Sequence, residues 1–242
     1  MSTVLITGAN RGVGLGLARK YAAGGFTVIA CCREPAKVDA LKEIASDSGG
    51  RVRVAQLDLA DEVSILALKL SLVDEPIDIL IHNAGVNGSP KPQTAYEIDG
   101  ENWLHCMRVN ALGPMLLSQA LLDNLKRGRD KRLVAISSSY GSISRDWPRT
   151  VNAHERYAYR ASKAALNSGM RALSRDWAEH GVVVGILDPG WVRTDMGGKG
   201  AIESASSISA DESAKGIIDR IAQLTPETSG TFQRFSGAPL AW

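Results

Sequence analysis

TVLITGANRGVGLG, residues 3–16, decides the fold. A short apolar run rich in β-branched residues, Thr3–Thr7, ends in a glycine-rich turn, and an amphipathic stretch, Gly12–Ala23, follows at once. A strand that runs through glycines into the start of a helix is the setting in which a dinucleotide pyrophosphate is held, because the helix N-terminus and free backbone N–H groups favour an anion. Gly8 permits a tight turn with an unusual φ. Gly12 and Gly14 are expected to let the backbone approach the pyrophosphate. The spacing is Gly-x3-Gly-x-Gly rather than the commoner Gly-x-Gly-x-x-Gly, so the turn needs support from the rest of the chain.

That support comes from the pattern on either side. Apolar runs recur at Thr27–Cys32, Val52–Leu57, Ile77–His82, Leu133–Ser137, Val182–Leu187 and, more weakly, Thr231–Phe235. Amphipathic stretches separate them, among them Lys37–Ser46, Glu101–Lys126, Ala158–Glu179 and Ala210–Ala222. Such alternation predicts an α/β fold: one doubly wound domain over residues 1–242, with a parallel sheet of about seven strands covered by helices on both faces. Right-handed crossovers make the first three strands wind outward as 3-2-1. The polar stretches Gly88–Gln93, Arg145–Glu155 and Gly197–Ser209 read as loops at the carboxyl edge of the sheet, where ligands bind in open α/β folds. They lie within broader substrate-loop regions at about 88–100, 139–158 and 190–210.

Composition narrows the class. Lys plus Arg number 28 against 26 for Asp plus Glu, so the balance of +2 gives no reason to invoke nucleic acid or a charged membrane surface. The N-terminus lacks the pattern of a signal peptide, and no apolar run approaches the ~20 residues of a membrane helix. Cys31, Cys32 and Cys106 have no metal-ligand spacing and fit reduced thiols in a cytoplasmic protein. No metal is expected.

The end of the second run bears on the cofactor. A site for NAD commonly has an acid there, about 20 residues past the glycines, to hold the ribose 2′-hydroxyl. Here the run ends Cys31, Cys32, Arg33, Glu34, Pro35. Cys32 is uncharged. Arg33, with Arg11 in the glycine turn, suits a 2′-phosphate, because guanidinium groups make charge-assisted bonds to phosphate. NADP(H) is therefore expected, with NAD(H) as the alternative. Glu34 has the spacing of a ribose-binding acid, but Pro35 after it predicts an outward-facing side chain near a helix start.

Tyr159 and Lys163, four apart in YRASKAALN, share one helix face. A nearby ammonium favours phenolate, which predicts a lowered Tyr159 pKa and a side chain able to pass a proton to or from a substrate oxygen. Ser138, at the end of LVAISSS, supplies a hydroxyl that can polarise a carbonyl.

Taken together, TGANRGVG, HNAG at His82–Gly85, Asn110 in VNALGP, ISSSYG, YRASK and DPGWVRTDM resemble, in order and spacing, the signature set of the short-chain dehydrogenase/reductase family, and the likeness covers nearly the whole chain. YAYRASKAALN and PGWVRTDMGG are similar to a carbonyl-reductase-like and C-factor-like subgroup. The resemblance implies a Rossmann domain that moves a hydride between NADP(H) and a small carbonyl or alcohol, and a homodimer or homotetramer. It implies Tyr159 as general acid in reduction and base in oxidation. Lys163 would hold the nicotinamide ribose, Ser138 would orient the substrate oxygen, and Asn110 would bind a water leading from Lys163 to solvent. Gly8, Asn10, Arg11, Gly12, Val13 and Gly14 would bind the cofactor. Asp58 would face the adenine with Leu59 beside it, and Asn83, Ala84 and Gly85 would border the adenosine side. Pro189, Gly190, Val192 and Thr194 would lie by the nicotinamide.

Two departures stand out. His82 occupies a position where Asn or a similar small polar residue is common, and it is expected to be structural. The segment between Ser138 and Tyr159 is longer than in many relatives and contains Arg145, Asp146, Trp147, Arg149 and His154, which either read the substrate or pack over the rim. Two other functions stay open: an NAD-dependent alcohol dehydrogenase of the same family, and an NADP-binding sensor or signalling protein without turnover. The sensor reading is weakened by the presence of Ser138, Tyr159 and Lys163 together.

Overall fold

The apolar runs form one parallel sheet of seven strands, in the order β3-β2-β1-β4-β5-β6-β7. The computed structural model describes residues 1–145 and 156–242; Asp146, Trp147, Arg149 and His154 lie outside the described residues. The strands are β1 (Thr3–Thr7), β2 (Thr27–Cys32), β3 (Val52–Gln56), β4 (Ile79–His82), β5 (Arg132–Ile136), β6 (Val183–Asp188) and β7 (Thr231–Arg234). Their side chains alternate between two cores, as the two-residue period of a strand requires. Leu5 enters one core and Val4 and Ile6 the other; Leu133 and Ala135 repeat the first choice, Val134 and Ile136 the second. The winding outward as 3-2-1 is as expected. The chain then returns from β3 to pair β4 with β1, and this reversal opens a crevice at the carboxyl ends of those strands.

Helices α1 (Gly12–Ala23), α2 (Asp39–Asp47) and α9 (Ala210–Ala222) bury Leu17, Leu41 and Ile217 in one core. The other receives Leu68 from α3 (Glu62–Ser71), Leu117 from α5 (Gly113–Ala120), Leu125 from α6 (Leu122–Arg127) and Met170 from α7 (Tyr157–Asp176). Helix α3 escapes a reading by periodicity because Val63, Leu66 and Leu70 are exposed, so its apolar residues do not mark one face. Asp61 caps it, accepting the Val63 N–H at 2.9 Å.

Three boundaries differ from expectation. The single helix over Glu101–Lys126 is instead α4 (Gly100–Met107), a π-helical turn at Arg108–Leu112, then α5 and α6. Pro114 lacks the N–H that a continuous ladder needs, and the wide turn precedes it. The helix predicted from Lys37 starts at Asp39, after a 3-10 turn at Pro35–Lys37. Gly197–Ser209 is not all loop, since α8 (Gly198–Glu203) lies within it. Among the described residues no helix is long and apolar enough to cross a membrane.

Candidate active site

The glycine turn is locked onto the end of β4. Gly8 has φ 64°, and a Cβ there would sit 2.8 Å from Ala84 Cα, so only glycine allows the approach. Thr7 Oγ1 accepts the N–H groups of Asn83 and Ala84, each at 3.0 Å. The Asn83 amide donates to the carbonyls of Thr7 and Gly8, each at 3.0 Å. Asn83 thus braces the turn as well as bordering the cleft.

Above the turn lies a cleft of about 1800 Å³. Ordinary small-ligand sites occupy roughly 300–1,000 Å³, so the larger volume suits a dinucleotide together with a second reactant. Gly8, Asn10, Arg11, Gly12 and Val13 line it, as do Arg33, Asp58, Leu59, Asn83, Ala84 and Gly85. Ser138, Tyr159, Lys163, Pro189, Gly190, Val192 and Thr194 complete the predicted set. Two expected residues do not line the cleft. Gly14 faces the Gly8 carbonyl and the Asn83 amide, which would collide with a Cβ. It is a packing glycine that lets α1 close on the turn. Asn110 lies behind the wall.

At the far end of β2, Arg33 is exposed and makes no ion pair among the described residues, while Cys32 lines the cleft beside it. Glu34 was expected to face outward but lines the cleft as well, with its carboxylate 2.7 Å from Lys37 Nζ. Arg11 is differently engaged from the expected partnership with Arg33: its Nη1 lies 2.9 Å from Asp195 Oδ2, across the mouth of the cleft.

At the other end, α7 stacks Tyr159 and Lys163 with the Lys163 Nζ 5.8 Å from the centre of the Tyr159 ring. Nζ donates to the Ile136 carbonyl at 2.8 Å, fixing the ammonium at the end of β5. Burial lowers the Lys163 pKa to about 8. Tyr159 moves opposite to expectation. Burial pushes its pKa up to about 12, a hydrogen bond with Ser138 works against the rise, and the negative charge of Asp188 adds to it. The predicted lowering by Lys163 does not arise, because Nζ lies beside the ring and desolvation of the phenolate dominates.

The three serines separate by partner. Ser138 bonds Tyr159 and accepts the Tyr140 N–H at 3.2 Å. Ser137 Oγ donates to Asn167 Oδ1 inside the core. Ser139 gives its N–H to Asp188 Oδ1 at 2.8 Å. Asn110, in the π turn, is fully buried. Its amide holds Val86 through both main-chain groups, at 2.8 and 2.7 Å, and donates to Ser162 Oγ at 2.9 Å. Its side chain is therefore a clamp on the segment that follows Gly85.

His82 is buried, with Nε2 2.7 Å from Ser118 Oγ and Nδ1 without a partner among the described residues. Burial, aided by the charge of Lys163, lowers its pKa to about 3, so it is neutral and structural at ordinary pH.

Sequence reasoning missed Asp188, Arg156 and Arg234, which also line the cleft. Asp188 is 3% exposed; its carboxylate ties the turn after β5, through Ser139, to the Gly190 N–H after β6, and lies 3.7 Å from Arg234 Nε. An acid directly before Pro189-Gly190 at a strand end was the signal available.

A Rossmann sheet, a glycine turn and a Ser–Tyr–Lys cluster in one cleft define a nicotinamide-dependent oxidoreductase. The chain belongs to the short chain dehydrogenase family, whose pattern matches residues 2–203. It is 36% identical over 167 residues to the C-signal of Myxococcus xanthus, covering 69% of this chain and 93% of that one. The NADPH-bound carbonyl reductase from chicken fatty liver superposes with a TM-score of 0.91 at 33% identity, over 100% of this chain and 99% of the other. The carbonyl reductase Sniffer of D. melanogaster gives 0.85 at 29% identity, over 100% of both. The chain thus falls in the carbonyl-reductase-like part of the family.

Proposed function

We propose that the protein is an NADP(H)-dependent carbonyl reductase that reversibly interconverts an aldehyde or ketone and its alcohol. The observation that carries this reading is the meeting of Ser138, Tyr159 and Lys163 in the cleft that starts at the glycine turn. The nicotinamide cofactor, when bound, supplies or accepts the hydride. Tyr159 donates its phenolic proton to the substrate oxygen in reduction and takes it back in oxidation. Ser138 holds the same oxygen. Lys163 binds the ribose hydroxyls and adds positive charge beside the phenol as it ionises. Asn110, whose side chain is clamped on Val86 and Ser162, holds the water that links Lys163 to solvent.

Arg33, which makes no ion pair among the described residues, favours NADP(H) over NAD(H). Glu34, the residue that would favour NAD(H), is engaged by Lys37. The free, buried Cys31, Cys32 and Cys106 accord with the cytoplasm. A homodimer or homotetramer would use the outer face of the Glu101–Lys126 and Ala158–Glu179 stretches, where Met115 and Ala165 line one hollow. Leu121 is fully buried, and Met115, Leu116 and Leu122 pack against the protein's own core. Leu104 and Leu112, 63% and 45% exposed, flank a shallow apolar hollow of about 760 Å³ at α4 and the π turn, and a second copy would cover it.

The test is NADPH oxidation against a panel of aldehydes, ketones, diketones and quinones. Turnover that vanishes in Tyr159→Phe supports the reading. Cofactor binding without turnover of any of them favours the sensor alternative instead.

A further inference from the structure

We propose that Gln93 is a positioning residue for the reaction: from the loop after β4 it caps helix α7, and so holds the main chain of Tyr159 in place. This deepens the carbonyl-reductase reading and rests on it.

The leading N–H groups of a helix have no partner within it. A short side chain with an acceptor at the N-cap usually takes one of them. The N-cap of α7 is Arg156, whose guanidinium has donors and no acceptor. Gln93 supplies what Arg156 lacks. Its main-chain carbonyl accepts the Tyr157 N–H at 3.3 Å, and its side-chain Oε1 accepts the Tyr159 N–H at 3.4 Å. Tyr157 and Tyr159 are the first and third residues of the helix. One residue, 66 positions earlier in the chain than Tyr159, therefore serves two of the leading N–H groups. One of these belongs to the reacting tyrosine itself.

The other end of the amide is engaged too. Gln93 Nε2 donates to the Asn87 carbonyl at 2.9 Å, so a carbonyl on one side and an N–H on the other fix which end of the amide is which. Gln93 is 4% exposed, and a buried amide with both ends satisfied resists turning. The base from which it reaches is held as well. Asn110 holds Val86 through both main-chain groups, and the Asn102 amide donates to the Gly88 carbonyl at 3.0 Å. Gln93 opens a tight turn in which it bridges to Ile98 and the Thr94 N–H donates to the Glu97 carbonyl at 2.8 Å. The segment that follows Gly85 thus grips α7 on both sides of Tyr159: through Gln93 at the first turn, and through Asn110 at Ser162. Helix ends fray when their N–H groups are unserved. A reacting group misplaced by about 1 Å costs a rate on the order of 10²-fold. A cap on this turn therefore bears on the rate more than on cofactor affinity.

The experiment compares the parent with Gln93→Met, which keeps the length of the side chain and removes both the acceptor and the donor. Protein made with nitrogen-labelled tyrosine has five labelled amides, and the signal missing from Tyr159→Phe is that of Tyr159. In the parent this amide is expected to be protected from hydrogen exchange, and in Gln93→Met to exchange at least about tenfold faster. With NADPH and the panel of carbonyl compounds, kcat should fall about tenfold while KM for NADPH stays within about twofold of the parent. A parent amide that exchanges as fast as an open chain overturns the proposal, and this measurement needs no variant. Equal exchange in parent and Gln93→Met overturns it as well. Faster exchange with an unchanged kcat overturns the positioning role and leaves an ordinary structural contact. Equal losses of kcat and of NADPH affinity do the same, since they mean general damage to the cleft. A parent that reduces none of the panel counts against the reductase reading instead, and the exchange measurement then decides the cap by itself.

Discussion

At the glycine-turn end, the cleft is made of main chain and exposed cations: Gly8 and Gly12 in left-handed conformation, Asn83 bracing the turn, and Arg33 on the surface. At the Tyr159 end it is made of buried side chains whose ionisation the fold has moved, with Tyr159 raised to about 12 and Lys163 lowered to about 8. Backbone and solvated charge are suited to holding phosphate. Desolvated groups are suited to moving a proton, because their charge responds strongly to what is placed beside them. The contrast implies that substitutions at one end should change affinity, and at the other, rate and pH dependence.

The sharpest division is expected from Tyr159→Phe, which keeps the ring and removes the proton donor. Turnover should fall by ~10²–10⁴-fold, while NADPH binding, followed by cofactor fluorescence, stays close to that of the parent. Most of the parent rate surviving in a folded variant would break the assignment.

Lys163→Met tests the energetic cost of the reacting end. The folded pKa of about 8 lies below the ordinary 10.5. Both states are therefore protonated at pH 7, where the buried ammonium costs the fold on the order of 3 kcal/mol. The cost fades as pH rises from 8 to 10.5. Less roughly 1 kcal/mol for the lost bond to Ile136, the variant should be about 2 kcal/mol more stable than the parent in urea at pH 7. That gain should disappear above pH 10.5, and activity should be lost throughout. A variant less stable than the parent at pH 7 would mean that the ammonium is well solvated in the fold.

Arg33→Ala belongs to the other end. It should weaken NADPH by ~10–100-fold, the worth of a charge-assisted bond of ~1.5–3 kcal/mol, with little effect on NADH. Equal parent affinities for the two cofactors would sink this and favour the NAD-dependent alternative.

The smallest effect should come from Asp188→Asn. The parent rate of reduction should fall at alkaline pH as Tyr159 loses the proton it must donate. Asp188 helps raise the Tyr159 pKa, so neutralising it should move that limb to lower pH. An unmoved limb together with a lower maximal rate would make Asp188 a purely geometric brace for Ser139.

Much of this was legible in the chain itself. Thr3–Thr7 and the glycines after it, the alternation of apolar runs with amphipathic stretches, and the i, i+4 pair Tyr159–Lys163 are local patterns, and local patterns decide strands, turns and helix faces. What the local pattern could not carry was every property that depends on a neighbour distant in sequence. Gly14 is a packing glycine because Gly8 and Asn83 fill the space beside it. Arg11 is engaged because the turn after β6 brings Asp195 to it. The long helix is broken where Pro114 follows a π turn that swings Asn110 onto Val86 and Ser162. Tyr159 was expected to be lowered by Lys163, a partner four residues away, and is raised by burial, with Asp188, a distant residue on β6, adding to the rise. Sequence by itself determined the class of sheet, the glycine turn and the candidate reacting groups. Only the tertiary structure decided their ionisation and the ion pairs that line the cleft, because desolvation and Coulombic interaction depend on distance through space rather than along the chain.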